Sequence, residues 1–524
     1  MLPQKLGALP LLALLCGAAS ALAAEPPLDV DPWDLVRVET PDYPGAIATS
    51  ATGSTLLAPP AEGPWRPEPV PEPDEYDAWE AKDALGTAPY HAAGFDGSGV
   101  KIAVFDYQYF GATLQADELG AYETHDCMTT RSCELPLDPE SPTFTWEVGS
   151  HGLACAETIR DLAPGAELHL VRVNGQTSLE NAVDWAIRNQ IDIVSMSLSF
   201  FAQSYGDGSG PISAAVERFA DSGGLFVTSA GNYATEHTAD TFRDEDGDGW
   251  HEFPNGSEYL AVDMAAGDTR MYLTWDEFST CGTTDLDIYV MDKSGAYVGR
   301  SEERQEAVSD TNRSCEPIER VVATAATSGW HWIRVRRAQG TALPNFTIYA
   351  RNADLAAPIP QGSIVDPGSS PAAFTVGAVR ANSTYLTNGP ESFSSWGPNS
   401  RGLPKPDIAG PDGLTTSVYG VTGFYGTSAA TPAVAGAVAL LMSADPSLTP
   451  VEAGRRLRAL AASDATVWEA PDDGLGAGRA RLDPPESASG VGGGCGGRAT
   501  LLPGLLGWLV LRARRLEARC EPRS

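Results

Sequence analysis

Positive charge is scarce in this chain: 35 Lys and Arg stand against 69 Asp and Glu, a formal net charge of −34 over 524 residues. Nucleic-acid binding rests on basic patches that release counterions from phosphates, so that class is excluded. An acidic surface suits solubility, and acidic oxygen-rich loops suit divalent cations. Long apolar runs are few as well. The stretch from Thr500 to Leu511 holds twelve residues, short of the roughly 20 that a bilayer span takes. Residues 25–79 lack hydrophobic periodicity. Rich in Pro, Glu and Asp, as in Pro67-Glu-Pro-Val-Pro-Glu-Pro73, they are expected to be a pro-region or linker with little core of their own.

At 524 residues the chain exceeds one typical domain, so two folded domains plus processing segments are expected. Residues 1–24 run from Lys5 through the apolar stretch Leu6 to Leu15 to Ala21-Leu22-Ala23-Ala24, the pattern of a signal peptide. Leu15 precedes Cys16 where lipidation wants a small residue, so export without a lipid is expected, to the medium or the cell surface. Export permits disulfides. Outside the terminal segments stand Cys127, Cys133, Cys155, Cys281 and Cys315. The expected pairs are Cys127 with Cys133 and Cys281 with Cys315. Cys155 is read as a small buried residue, because it shares a helical face with His151 and has no base of its own.

The run Gly426-Thr427-Ser428-Ala429-Ala430-Thr431-Pro432 sets a hydroxyl where a Gly-rich loop becomes an apolar helix. A serine hydroxyl is a weak nucleophile unless a base takes its proton and a third group orients that base. Both partners lie upstream. Lys101-Ile-Ala-Val-Phe-Asp106 reads as a strand ending in a carboxylate. Ser150-His151-Gly152 opens a helix that runs to Leu162 and stops at Ala163-Pro164-Gly165, before a strand from Leu168 to Val173. In a parallel α/β sheet such groups gather beyond the carboxyl ends of the strands. Asn232 follows the strand Leu225 to Ser229 through the turn Ala230-Gly231, where its amide suits an oxyanion donor. Taken singly, each of these is more often a cap or a turn residue. Their joint occurrence, in the order Asp, His, Ser, reverses that judgement. A Gly-x-Ser-x-Gly elbow is absent, since Ala430 occupies the second Gly position and the His lies upstream, which excludes the α/β-hydrolase arrangement.

Four blocks together resemble the subtilase family: Gly97 to Asp106, His151 to Ile159, Val227 to Asn232, and Gly426 to Pro432. The resemblance implies an α/β fold, a subtilisin-like parallel sheet with helices on both faces. It implies a serine endopeptidase that works through an acyl-enzyme, with Asp106, His151 and Ser428 as triad and Asn232 with the Ser428 N–H as oxyanion hole. Ile193 to Ser199 resembles the family's edge strand that pairs with extended substrate, so Ser197, Leu198 and Ser199 are expected to bind it. Two departures stand out. Ser199 replaces the usual Gly, and Tyr107-Gln108-Tyr109-Phe110 precedes Gly111, so bulky rings either crowd the rear of the triad or line a subsite. Protein or peptide substrates, a monomer and no cofactor for the chemistry are expected. The rivals are an inactive binding protein on the same scaffold and a hydrolase of small esters or amides.

Between Asn232 and the next family-like strand, Phe374 to Val379, lies more chain than a connection needs. Residues 236–355 are therefore expected to form an inserted antiparallel β-sandwich, flanked by catalytic segments 80–235 and 356–482. Its strands read as Met271 to Trp275, Leu286 to Met291, Trp330 to Arg336 and Phe346 to Ala350. At its entrance Asp244, Asp246 and Asp248 have the spacing of a calcium loop, although Asn255 stands where a bidentate Glu closes such a cage and Glu252 is the substitute. Asp285 and Asp287 read as solvated charges on an outer face. In residues 483–524, Gly492-Gly-Gly-Cys-Gly-Gly497, the apolar stretch and Arg512, Arg514 and Arg515 resemble bacterial carboxyl-terminal sorting tails, notably those of myxobacteria.

Overall fold

A computed structural model describes residues 80–128, 131–134, 136, 149–278, 283–305, 316–463 and 472–485, besides the backbone of three two-residue strands at Val36–Arg37, Ala48–Thr49 and Thr55–Leu56. The expected signal and sorting segments and the expected Cys281–Cys315 pair lie outside the described residues.

Seven strands form one parallel sheet: β1 Lys101–Asp106, β2 Tyr122–Asp126, β3 Glu167–Arg172, β4 Ile193–Met196, β5 Leu225–Ser229, β6 Ala373–Arg380 and β7 Ile408–Asp412, in the order β2-β3-β1-β4-β5-β6-β7. Except in the edge strand β2, their apolar runs are buried on both faces, as parallel strands require. In β1, Ile102 and Val104 enter one core while Ala103 and Phe105 enter the other. The first core also takes in helices α1 His151–Leu162, α4 Thr427–Ala444 and α5 Pro450–Ser463, and the second takes in α2 Gln176–Arg188 and α3 Gly210–Asp221. Among the described residues α4 is the one helix long and apolar enough to cross a membrane, but most of it is buried inside the fold. It lies close against α1: a Cβ on Gly436 would meet the Leu162 Cβ at 2.8 Å.

The expectation that Ile193 to Ser199 is one edge strand is corrected. β4 lies between β1 and β5, in the interior of the sheet. The chain breaks at Ser197, and only Leu198–Ser199 leaves the sheet, where it pairs antiparallel with Val36–Arg37. Parallel strands on both sides already take up the backbone groups of β4, so only the two residues beyond its end have groups to offer another strand.

The strands from His237 to Leu355 form two antiparallel sheets. One orders His237–Thr241, Asn345–Ala350, Gly267–Trp275 and Ile318–Ala325; the other orders Tyr297–Ser301, Asp285–Met291, Gly329–Gln339, Leu260–Met264 and Ala353–Leu355. Nine strands thus appear where four were expected. They enclose an apolar core that includes Trp275, Ile288, Ile333, Val335 and Phe346. Asp285 and Asp287 are a second correction. Both are buried, with their carboxylates within 4.8 Å of that of Glu319. Their strand is interior to its sheet and is covered by Tyr289, whose hydroxyl donates to Asp287 at 3.0 Å. Burial pushes Asp287 up to about 6 and Glu319 up to about 8.

Candidate active site

Asp106 ends β1 with its side chain buried. Its Oδ1 accepts the backbone N–H groups of Tyr107 at 2.7 Å and Gln108 at 3.0 Å, which leaves Oδ2 for His151 Nδ1 at 2.5 Å. His151 is the first residue of α1, and two local contacts fix that helix end. Ser150 Oγ donates to the Phe110 carbonyl at 2.8 Å, and Gly152 N–H donates to the Gln108 carbonyl at 2.9 Å. Gly152 has to be glycine, because a Cβ there would lie 2.6 Å from the Tyr109 ring and 2.8 Å from the Asp106 Cβ.

The aromatic departure after Asp106 is thereby placed. Tyr109 packs behind the start of α1, with its hydroxyl on the Val104 carbonyl at 2.6 Å, and Tyr107 joins the core that holds Cys127 and Cys133. Both rings are buried. Those two cysteines form a disulfide, and Cys155 is a buried thiol outside any disulfide.

Ser428 is the second residue of α4, directly after Gly426, whose φ of 99° lies in the region glycine favours. Its carbonyl accepts Ser197 Oγ at 3.1 Å and Cys155 Sγ at 3.7 Å. Asn232 approaches from the end of β5. Its Oδ1 accepts both the N–H and the hydroxyl of Thr427 at 3.0 Å, so its Nδ2 faces away from Thr427. Nδ2 lies close to Gly426, where a Cβ would come within 2.7 Å of it. Asp106, His151 and Ser428 are all buried. Nε2 of His151 makes no hydrogen bond, and its ring meets Phe424 edge-on at 5.9 Å. Catalytic hydrogen bonds often tighten only when substrate is bound.

Of the expected substrate residues, Ser197 spends its hydroxyl on Ser428, while Leu198 and Ser199 bury their side chains. What they have to offer is backbone. Beside them a cavity of about 340 Å³ is lined by Phe200, Ser204, Tyr205 and Asp366 of the catalytic fold and by His237 and Tyr349 of the inserted strands.

At the sandwich entrance Asp244, Asp246 and Asp248 converge to within 4.8 Å, but Asp244 Oδ2 already holds Arg337 at 2.9 Å. Glu252 accepts the Glu245 N–H, and Asn255 caps a separate turn at Ser257. Neither closes a cage.

Sequence reasoning missed Asp412. It is fully buried at the end of β7 and accepts the Gly426 N–H at 3.0 Å, bracing the turn before Ser428. Burial, and then the Glu391 charge, push its carboxyl up to about 8. It also missed Glu157 of α1, which accepts the N–H and hydroxyl of Ser417, each at 2.7 Å, and which burial pushes up to about 7. A carboxylate directly after the apolar and small run Leu153-Ala-Cys-Ala156 was the available signal.

The strand order, the crossing helices and a Ser, His and Asp gathered at the strand ends define a subtilisin-type α/β fold. The chain belongs to the subtilase family, whose pattern it matches over residues 123–291 and 352–483, more than half of its length. Subtilisin E of Bacillus subtilis is 28% identical over 166 residues, which cover 29% of this chain and 39% of that protein. Bacillopeptidase F of the same species is 36% identical over 141 residues, 26% of this chain and 9% of that one. The chain therefore spans well under half the length of either relative. The CspB protease of Clostridium perfringens shares the fold, with a TM-score of 0.55 at 16% identity, over 78% of this chain and 97% of its own.

Proposed function

We propose that this chain is an exported serine endopeptidase that hydrolyses peptide bonds through an acyl-enzyme on Ser428. The observation that carries the reading is the 2.5 Å contact between Asp106 Oδ2 and His151 Nδ1. It keeps the proton on Nδ1, so Nε2 is the basic nitrogen. His151 Nε2 takes the proton from Ser428 Oγ as that oxygen attacks the scissile carbonyl. The same proton then goes to the leaving amine, and water repeats the sequence to free the acid. Asp106 stays ionised and stabilises the imidazolium. Asn232 Nδ2 and the Ser428 N–H receive the oxyanion; the way Thr427 holds Asn232 Oδ1 supports this role. Leu198 and Ser199 pair with the substrate backbone by strand addition, in the place that Val36–Arg37 takes in the free chain, and the neighbouring cavity gives the inserted domain one wall of a specificity pocket.

Export through the amino-terminal signal, processing near Cys495 and action as a monomer belong to the same proposal. So does a structural calcium at Asp244, Asp246 and Asp248, supported by the convergence of their carboxylates; a melting temperature unchanged by a calcium-selective chelator removes it. A casein digest with mapped cut sites tests the activity. Internal cleavage is the expected result, whereas turnover of short acyl esters alone points to an esterase.

A further inference from the structure

Two Glu-x-His pairs face each other across the edge of the parallel sheet, far from any role in the triad. Glu123 and His125 alternate along β2, and Glu167 and His169 alternate along β3. The parallel register sets Glu123 opposite His169, and side chains two apart on a strand share a face. All four therefore lie on one side of the sheet. His125 Nε2 stands 3.2 Å from His169 Nδ1, and Glu123 Oε2 lies 3.8 Å from the first and 3.7 Å from the second.

A triangle with sides of 3.2, 3.7 and 3.8 Å has one point about 2.1 Å from every corner. Zinc bonds to His nitrogen and carboxylate oxygen at about 2.0 to 2.2 Å, and two His with one carboxylate is a known zinc donor set. The other ring nitrogen of His169 contacts Glu167 Oε1 at 3.1 Å, the carboxylate support that metal-bound imidazoles commonly have. The His125 ring is likewise hydrogen-bonded to the backbone of Cys133. Trp185 closes the inner side, with ring centroids 4.2 Å from His125 and 5.5 Å from His169, while the Glu123 side chain is 67% exposed. A buried His169 and a half-buried His125 with a solvent-facing carboxylate leave a fourth position open to water.

We propose that Glu123, His125 and His169 bind one divalent transition-metal ion of the zinc class, with Glu167 orienting His169. Among the described residues β2 is an edge strand, hydrogen-bonded only to β3, and it leads into the Cys127–Cys133 loop. The ion ties that edge to its neighbour. A ligand bound to the native state alone raises stability with its concentration, so the site is a metal staple on the rim of the sheet, separate from the catalytic reading.

The test is zinc titration of the full chain, made in a Ser428→Ala background to prevent self-digestion, with bound metal measured by elemental analysis after dialysis and melting followed in parallel. One zinc per chain and a rise in melting temperature are expected. Glu123→Gln, at an exposed position that tolerates the change, should abolish the rise, as should His125→Gln. Glu167→Gln should weaken binding by about 10- to 100-fold. Absence of zinc binding at micromolar metal by the parent protein overturns the proposal. So does zinc retained with unchanged affinity in Glu123→Gln and His125→Gln, which would put the ion elsewhere.

Discussion

The same residue types meet at two places on this sheet and are set up for different chemistry. At the end of β1 one imidazole faces one carboxylate: Asp106 takes Nδ1 of His151, and Nε2 is left for a proton. Between β2 and β3 two imidazoles point a nitrogen at each other, with a carboxylate nearly equidistant from both. A single oriented nitrogen moves protons, whereas converging donors hold a cation. Placement relative to the strand end, rather than composition, separates the two.

The comparison breaks most severely at the nucleophile and base. Ser428→Ala or His151→Ala should lower kcat by about a million-fold, a magnitude established on subtilisin itself and carried over by family membership. Next comes Asn232→Ala, which should reduce kcat by about 100- to 1,000-fold with little change in KM, again a figure from subtilisin. Steady-state kinetics on one peptide substrate reads both.

Gly152→Ala sharpens the claim that close packing positions the base. Its Cβ would press on Tyr109 and Asp106, so a loss of about 1 to 3 kcal/mol in unfolding free energy is expected by denaturant titration, along with a fall in kcat. The remaining effect is a pH slope. Asp412 keeps its proton in the native state up to about 8, while the unfolded chain releases it near the ordinary carboxyl value of 3.8. Its native-state pKa is raised, so its stability contribution is complete in acid and is lost as pH climbs toward 8. Asp412→Asn keeps an oxygen for the Gly426 N–H and removes the titration. Its stability relative to the parent should therefore increase between pH 4 and 8, by at most about 1.4 kcal/mol per pH unit.

The residues proposed for the triad stood out because each sits at an element end with local marks: Asp106 after an apolar run, His151 before a helix, Ser428 between Gly426 and an apolar stretch. The fold class followed from the resemblance that the four blocks around those residues bear to the subtilase family. What failed to show depended on neighbours distant in the chain. The apolar run from Ile193 does not reveal that β4 lies between β1 and β5 or that the strand breaks at Ser197. The alternation at Asp285 and Asp287 looked solvated because Glu319, from a strand more than thirty residues on, meets it only after folding. The two Glu-x-His pairs were visible as motifs, but their meeting needs β2 to pair with β3 in one register. Asp412, adjacent in sequence to a glycine turn, gave no sign that it would brace Gly426.

The central claim is that His151, oriented by Asp106, activates Ser428. Its most direct measurement is labelling of the folded chain with a fluorophosphonate, followed by mass mapping of the modified residue. The account predicts a single adduct on Ser428, lost in Ser428→Ala and strongly slowed in His151→Ala. A folded chain that takes no label, or is labelled equally well without His151, would contradict it.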